Sequence, residues 1–261
     1  MIRRYLMIGI VALVGLSACV SSCKKGIPAE ANLRQPKIGD LGGVKVSIPS
    51  YMAELIEYEG DPGWDGEKWK TFKVPQRTYD SKITSFGFGI RFPDGALPST
   101  DELSKDRIEQ NSQTTMWLRV GVNSGNIFYP NGLNDLAKSY QKPRVFFPLD
   151  NYGKLSKKEY GLTVYAVKGI DPTTNKPYRQ DRYAKDVFID TNDSQNVQTI
   201  IICDNEHSMY VTVMCSQEFT LKDEGINAEI SVLYRRSLLP HWQTIQMLVT
   251  QKILQLKNSK T

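Results

Sequence analysis

Ala228-Glu229-Ile230-Ser231-Val232-Leu233-Tyr234 alternates apolar and polar side chains without a break. Successive side chains of a strand point to opposite faces, so this period-two pattern predicts a half-buried β-strand. Upstream, Val197 to Cys203 and a stretch within Met209 to Leu221 are further candidates. Strands that follow one another with short links predict an antiparallel meander. Val44-Lys45-Val46-Ser47-Ile48 alternates in the same way, as do Phe86, Phe88 and Ile90 around Gly87 and Gly89. Trp117 to Val122 carries apolar residues on both parities, which predicts burial on both faces. Leu162 to Val167 and Asp186 to Asp190 complete the set.

Helices are fewer. Ser99-Thr100-Asp101-Glu102 fits a capping box that opens a short helix to about Glu109. Gly132 to Gln141 places Leu133, Leu136, Ala137 and Tyr140 on one face, with Pro143 beyond it. After Pro240, the residues Trp242, Ile245, Val249, Lys252 or Ile253, and Leu256 recur at three-to-four spacing, a stripe that predicts core packing. The expected class is α+β, mainly antiparallel β-sheet with a C-terminal helix packed on it. A boundary is expected between Lys142 and Tyr160, where Pro143, Pro148 and Gly153 gather. It would separate a β-rich stretch over 40–150 from a meander plus helix over 151–261.

Composition narrows the function classes. The chain has 261 residues, 40% hydrophobic and 23% charged, an ordinary globular balance. Its formal charge is +5, from 33 Lys+Arg against 28 Asp+Glu, with no dense basic stripe of the kind nucleic acid requires. Two histidines and four cysteines leave little room for a metal site or a histidine-based centre. No Gly-x-Ser-x-Gly elbow, Walker loop, dinucleotide fingerprint or His-Glu-x-x-His occurs. Gly121-Val122-Asn123-Ser124-Gly125 has its serine one place off. His207 reads as a polar hairpin residue and His241 as a helix-start residue, rather than as base or ligand. The expectation is therefore a non-enzymatic protein without metal or cofactor.

The first residues address the compartment. Met1-Ile2-Arg3-Arg4 is cationic, and Tyr5 to Leu16 is uncharged. That run is about 12 residues, whereas a spanning helix needs roughly 20, so it reads as a secretory signal. Leu16-Ser17-Ala18-Cys19 resembles the lipobox of bacterial lipoproteins. The resemblance implies that residues 1–18 are removed and that Cys19 is lipidated. Loss of Arg3 and Arg4, two of the cations, lowers the formal charge to about +3. Val20 follows the cysteine where an Asp would favour the inner membrane, so the lean is toward the periplasmic face of the outer membrane. Two or more acyl chains anchor stably, at roughly 0.8 kcal/mol per buried methylene. Residues 19–39, with Pro28 and Pro36 and no periodicity, read as a tether.

With Cys19 acylated, Cys203 and Cys215 remain in the folded part and Cys23 in the tether. An envelope compartment is oxidising, so the folded pair is a disulfide candidate. A hairpin turning at Asn205-Glu206-His207-Ser208 would leave the two roughly 17 Å apart along the strand. Bridging requires Cα atoms within about 7 Å. A tip near Met209 sets Cys203 opposite Cys215, and that register is the one expected. Cys23 is then left unpaired.

Glu59-Gly60-Asp61-Pro62-Gly63-Trp64-Asp65-Gly66-Glu67-Lys68-Trp69 combines tryptophans, acids and glycines. The acid spacing lacks the order of an EF-hand and reads as an ordinary turn. Trp64 and Trp69 suit interface anchors, and Asp61 and Asp65 would steer a basic partner. The alternative is that either tryptophan folds back into the core.

Two stretches carry a further resemblance. Leu41-Gly42-Gly43-Val44-Lys45-Val46-Ser47-Ile48-Pro49, running on to Tyr58-Glu59-Gly60-Asp61-Pro62-Gly63, is the first. Val232-Leu233-Tyr234-Arg235-Arg236-Ser237-Leu238-Leu239-Pro240-His241-Trp242-Gln243, with Cys203 and Cys215 before it, is the second. Together they resemble immunity lipoproteins encoded beside type VI secretion phospholipase effectors. The resemblance implies a lipid-anchored inhibitor that binds an antibacterial lipase in the periplasm, and it carries no catalytic residue. A structural or pilot lipoprotein of an envelope secretion machine is the alternative.

Overall fold

The computed structural model describes residues 35–110, 114–142, 147–205, 207 and 212–257. Residues 1–34, with Cys19 and Cys23 and the leader expected there, lie outside the described residues. Strands β1 (Lys37–Leu41) and β2 (Val44–Ile48) form a hairpin. Lys37 to Gly39, expected at the end of the tether, therefore belong to a strand. Among the described residues nine more strands make one antiparallel sheet. They are β3 (Glu54–Tyr58), β4 (Ile83–Arg91), β5 (Trp117–Ser124), β6 (Tyr152–Lys154) and β7 (Thr163–Val167). β8 (Lys185–Thr191), β9 (Val197–Asp204), β10 (Met214–Thr220) and β11 (Ala228–Arg235) follow.

Their spatial order is β3-β4-β5-β11-β10-β9-β8-β7-β6. The chain meanders through β3 to β5, crosses to the far edge, and meanders back until β11 pairs with β5. Ile230 then faces Val122. Residues on either side of position 150 thus contribute adjacent blocks of strands to the same sheet.

Four helices complete the described fold: α1 (Gly66–Thr71), α2 (Asp101–Glu109), α3 (Gly132–Gln141) and α4 (Trp242–Leu254). Thr100 caps α2 by accepting a hydrogen bond from the Leu103 amide at 3.2 Å. The α4 stripe packs where its period predicts: Trp242, Ile245, Val249 and Ile253 are all buried. It covers the sheet face that presents Phe88, Val120, Ile201, Cys203, Cys215 and Val232. Leu41, Val46 and Ile48 of the β1–β2 hairpin join the same core.

A buried polar chain sets the register of α4 on the sheet. The Tyr234 hydroxyl donates to Gln217 at 2.9 Å, and the Gln217 amide donates to Gln246 at 3.0 Å. Thr199 donates to the same Gln246 oxygen at 2.8 Å. Each polar group that burial strips of water finds a protein partner, which apolar packing alone would not place so specifically.

The opposite face has its own, smaller core. Leu133 and Ala137 of α3 pack on Val187, Ile189 and Ile200. At the other end α2 leans on β4 and β5: Asp106 accepts from the Trp117 indole and pairs with Arg91, both at 3.0 Å. Arg107 lies across Gly89, where an added Cβ would meet its Nε at 2.5 Å, and pairs with Glu54 of the edge strand.

Candidate partner-binding surface

The loop that leaves edge strand β3 is exposed along most of its length and braced from inside. Asp61 accepts from the Tyr58 amide at 2.9 Å and pairs with Arg77, their side chains only 7% and 18% exposed. The Arg77 guanidinium lies 4.3 Å from the centre of the Tyr58 ring. Tyr58 donates its hydroxyl to the Ile38 carbonyl at 3.0 Å, tying the loop to β1. Burial raises the pKa of that phenol, with the Arg77 charge opposing. Gly63 has φ +61, a left-handed turn that glycine adopts at little cost. Asp65 then caps α1, accepting from the amides of Glu67 and Lys68 at 3.1 and 3.2 Å. The Trp69 indole donates back to the Gly63 carbonyl at 2.7 Å and meets Phe72 edge-on at 5.3 Å. Between these ties stands Trp64, 87% exposed; Trp69 is 42% exposed. An open hollow of about 620 Å3 lies beside α1, lined by Gly60, Asp61, Pro62, Lys68, Phe72 and Lys73.

Each of the acids has a partner within the loop. Asp61 faces Arg77 and Asp65 faces the first turn of α1, while Glu67 pairs with Lys70 at 2.7 Å. They hold the loop's shape, and Trp64, Trp69 and Val74 are the large apolar side chains it exposes. The sequence does not distinguish these roles, because an Asp that caps and an Asp that steers look alike in one dimension.

Cys203 and Cys215 are directly paired across β9 and β10, form a disulfide and are fully buried. This is the register in which the hairpin tip lies near Met209; the tip itself is outside the described residues. The hairpin turning at 205–208 would not have placed these two residues opposite each other.

Beside the disulfide is a cluster that sequence reading missed. Asp186, 2% exposed, accepts from Arg179 Nε at 2.9 Å and from Arg236 Nη2 at 2.7 Å. Arg236 also donates to the Asp204 carbonyl, and Asp204 pairs with Lys185. The available signal was parity: Asp186 is paired with Cys203 and shares the core side of β8 with Phe188. A carboxylate at a core parity demands a cationic partner. His207 sits at this cluster, its amide donating to Asn205 at 2.6 Å, and His241 precedes α4 with its ring 5.4 Å from Phe92. Among the described residues no three His, Cys, Asp or Glu side chains are grouped as metal ligands.

Between α2 and α3 the sheet presents polar residues, including Arg119, Asn123, Ser216 and Ser231. Glu218 and Glu229 lie half-buried on neighbouring strands of this face. Burial raises both carboxyls above the ordinary range; for Glu218 the Ser216 hydroxyl opposes and the Glu229 charge adds. A folded-state carboxyl that holds its proton more tightly than the unfolded chain stabilises the fold at low pH. That contribution is present below the unfolded glutamate pKa and is lost as pH rises through the folded value. Glu218→Gln and Glu229→Gln should therefore melt above the parent at pH 7 and level with it near pH 4. Thermal unfolding at the two pH values checks this; a variant that melts below the parent at pH 7 contradicts it.

Fold and surface together define an antiparallel α+β domain that offers a braced, aromatic-tipped loop. No family model matches the chain, and no curated protein does. In three dimensions it is similar to an immunity protein of the Stenotrophomonas maltophilia type IV secretion system. The TM-score is 0.53 at 15% identity, over 87% of this chain and 94% of that one.

Proposed function

We propose that this chain is a non-enzymatic immunity protein that neutralises a secreted antibacterial effector by binding it. The observation that carries the reading is the fold likeness to an immunity protein over 87% of the chain. The particular effector we propose is a phospholipase of a type VI system, on the sequence resemblance; the structural neighbour serves a type IV system. We place the protein at the periplasmic face of the outer membrane, anchored through acylated Cys19. The Cys203–Cys215 bond supports an oxidising compartment. Anchoring would raise the inhibitor's effective concentration at the membrane the effector attacks. Trp64 and Trp69 are the contact residues of this reading, and Asp61 and Asp65 hold them in place.

The test is genetic. The proposed phospholipase effector is directed to the periplasm of a sensitive host, with and without this protein. Cells should survive only when it is present, and Cys19→Ser should weaken protection. Equal survival in both cases overturns the proposal.

A further inference from the structure

We infer that Trp64 is an anchor which enters an apolar cleft of the effector, the cleft that takes the acyl chain of its lipid substrate. This rests on the reading of the effector as a phospholipase and goes further by naming the chemistry of the contact.

Three observations lead there. The first is exposure: an indole left 87% in solvent on a loop whose other tryptophan, Trp69, is tied back to Gly63 and packs edge-on against Phe72. The second is rigidity. The Asp61–Arg77 pair, the Asp65 cap and the Trp69–Gly63 hydrogen bond fix the backbone on both sides of Trp64. A preordered anchor loses little conformational entropy when it binds. The third is charge. Across residues 59–77, Glu59, Asp61, Asp65 and Glu67 are balanced by Lys68, Lys70, Lys73 and Arg77. A loop with no net charge gains little from an anionic lipid surface, where each added cation contributes about 1 kcal/mol. It is equally unselective toward an acidic or a basic protein rim. What remains is an apolar, planar side chain held out on a stiff neck, which fits a concave apolar site. An enzyme that hydrolyses lipid esters has to offer such a site to its substrate. Filling it with Trp64 excludes the acyl chain, so inhibition and substrate binding compete.

The experiment measures binding of the proposed phospholipase effector to the full-length protein and to Trp64→Ala and Trp64→Phe. Trp64→Ala should weaken binding by about 30-fold or more, as for a hot-spot anchor, and Trp64→Phe by less than about tenfold. The parent's affinity should change less than about threefold between low and high salt, since no net charge is involved. Lipase labelled with a long-chain alkylphosphonate, whose tail fills the acyl cleft, should bind the parent about tenfold more weakly or worse. Unchanged melting of both variants excludes misfolding. Binding of Trp64→Ala at parental strength overturns the anchor and leaves the immunity reading intact. Failure of the parent to bind removes both. In vesicles of brominated phosphatidylglycerol and phosphatidylethanolamine without lipase, Trp emission should be equally unquenched in parent and Trp64→Phe. Quenching confined to the parent assigns Trp64 to the lipid and overturns the proposal.

Discussion

Replacing Cys203 and Cys215 together with alanine should cost about 3 kcal/mol of stability. The bond joins residues 12 apart, and in the chain-entropy model a loop of that size stabilises by roughly 3 kcal/mol through restriction of the unfolded chain. Both sulfurs lie in the main core between β9 and β10, so the alanines also leave small voids beside Tyr234, which is paired with Cys215. Urea unfolding of the parent and the double variant measures the difference. Coincident midpoints contradict it. A single Cys215→Ser should do worse than the double variant, because it leaves an unpaired thiol and a hydroxyl in apolar surroundings.

Asp186→Ala should destabilise by about 3 kcal/mol, the lower end of what removing one partner of a buried ion pair costs. Asp186 is the common acceptor of Arg179 and Arg236. Arg236, with its side chain 15% exposed, would be left with the Asp204 carbonyl and the face of Phe188. Arg179 is 37% exposed and has a route to water, which keeps the figure at the lower end. Chemical denaturation of the variant checks this. A loss below about 1 kcal/mol, the range of surface pairs, would show that the cluster is screened by solvent.

Much of the sheet was legible. β2, β4, β5 and β7 to β11 fall within stretches marked as strands beforehand, β2, β4 and β11 by period-two alternation; in β5 the burial expected on both faces holds for one, since Arg119 is exposed on the other. α3 and α4 were readable from apolar spacing at period 3.6. What escaped was short or irregular. β3 is bulged, with Leu55 at φ +49, so its side chains do not alternate regularly. β6 is three residues long and lies in a stretch read as a boundary. β1 holds Gly39 and Asp40, residues that discourage a strand assignment. α1 has six residues and buries none of them, so it carries no apolar period.

The candidate surface was legible in composition and not in geometry. Trp64 and Trp69 stood out as a pair, yet one is presented to solvent and the other is hydrogen-bonded back into the loop. That difference depends on the left-handed turn at Gly63 and on Asp61 meeting Arg77, sixteen residues away. Sequence spacing contains neither. The disulfide register, by contrast, was expected beforehand on the premise that the two cysteines pair, since a tip near Met209 brings their Cα atoms within reach and a turn at 205–208 does not.

The most direct test of the account is a titration of the ester hydrolysis of the proposed phospholipase effector with this protein. The account predicts that hydrolysis falls in proportion to added protein and ends at an equimolar complex. Full hydrolysis in the presence of a large molar excess would contradict it.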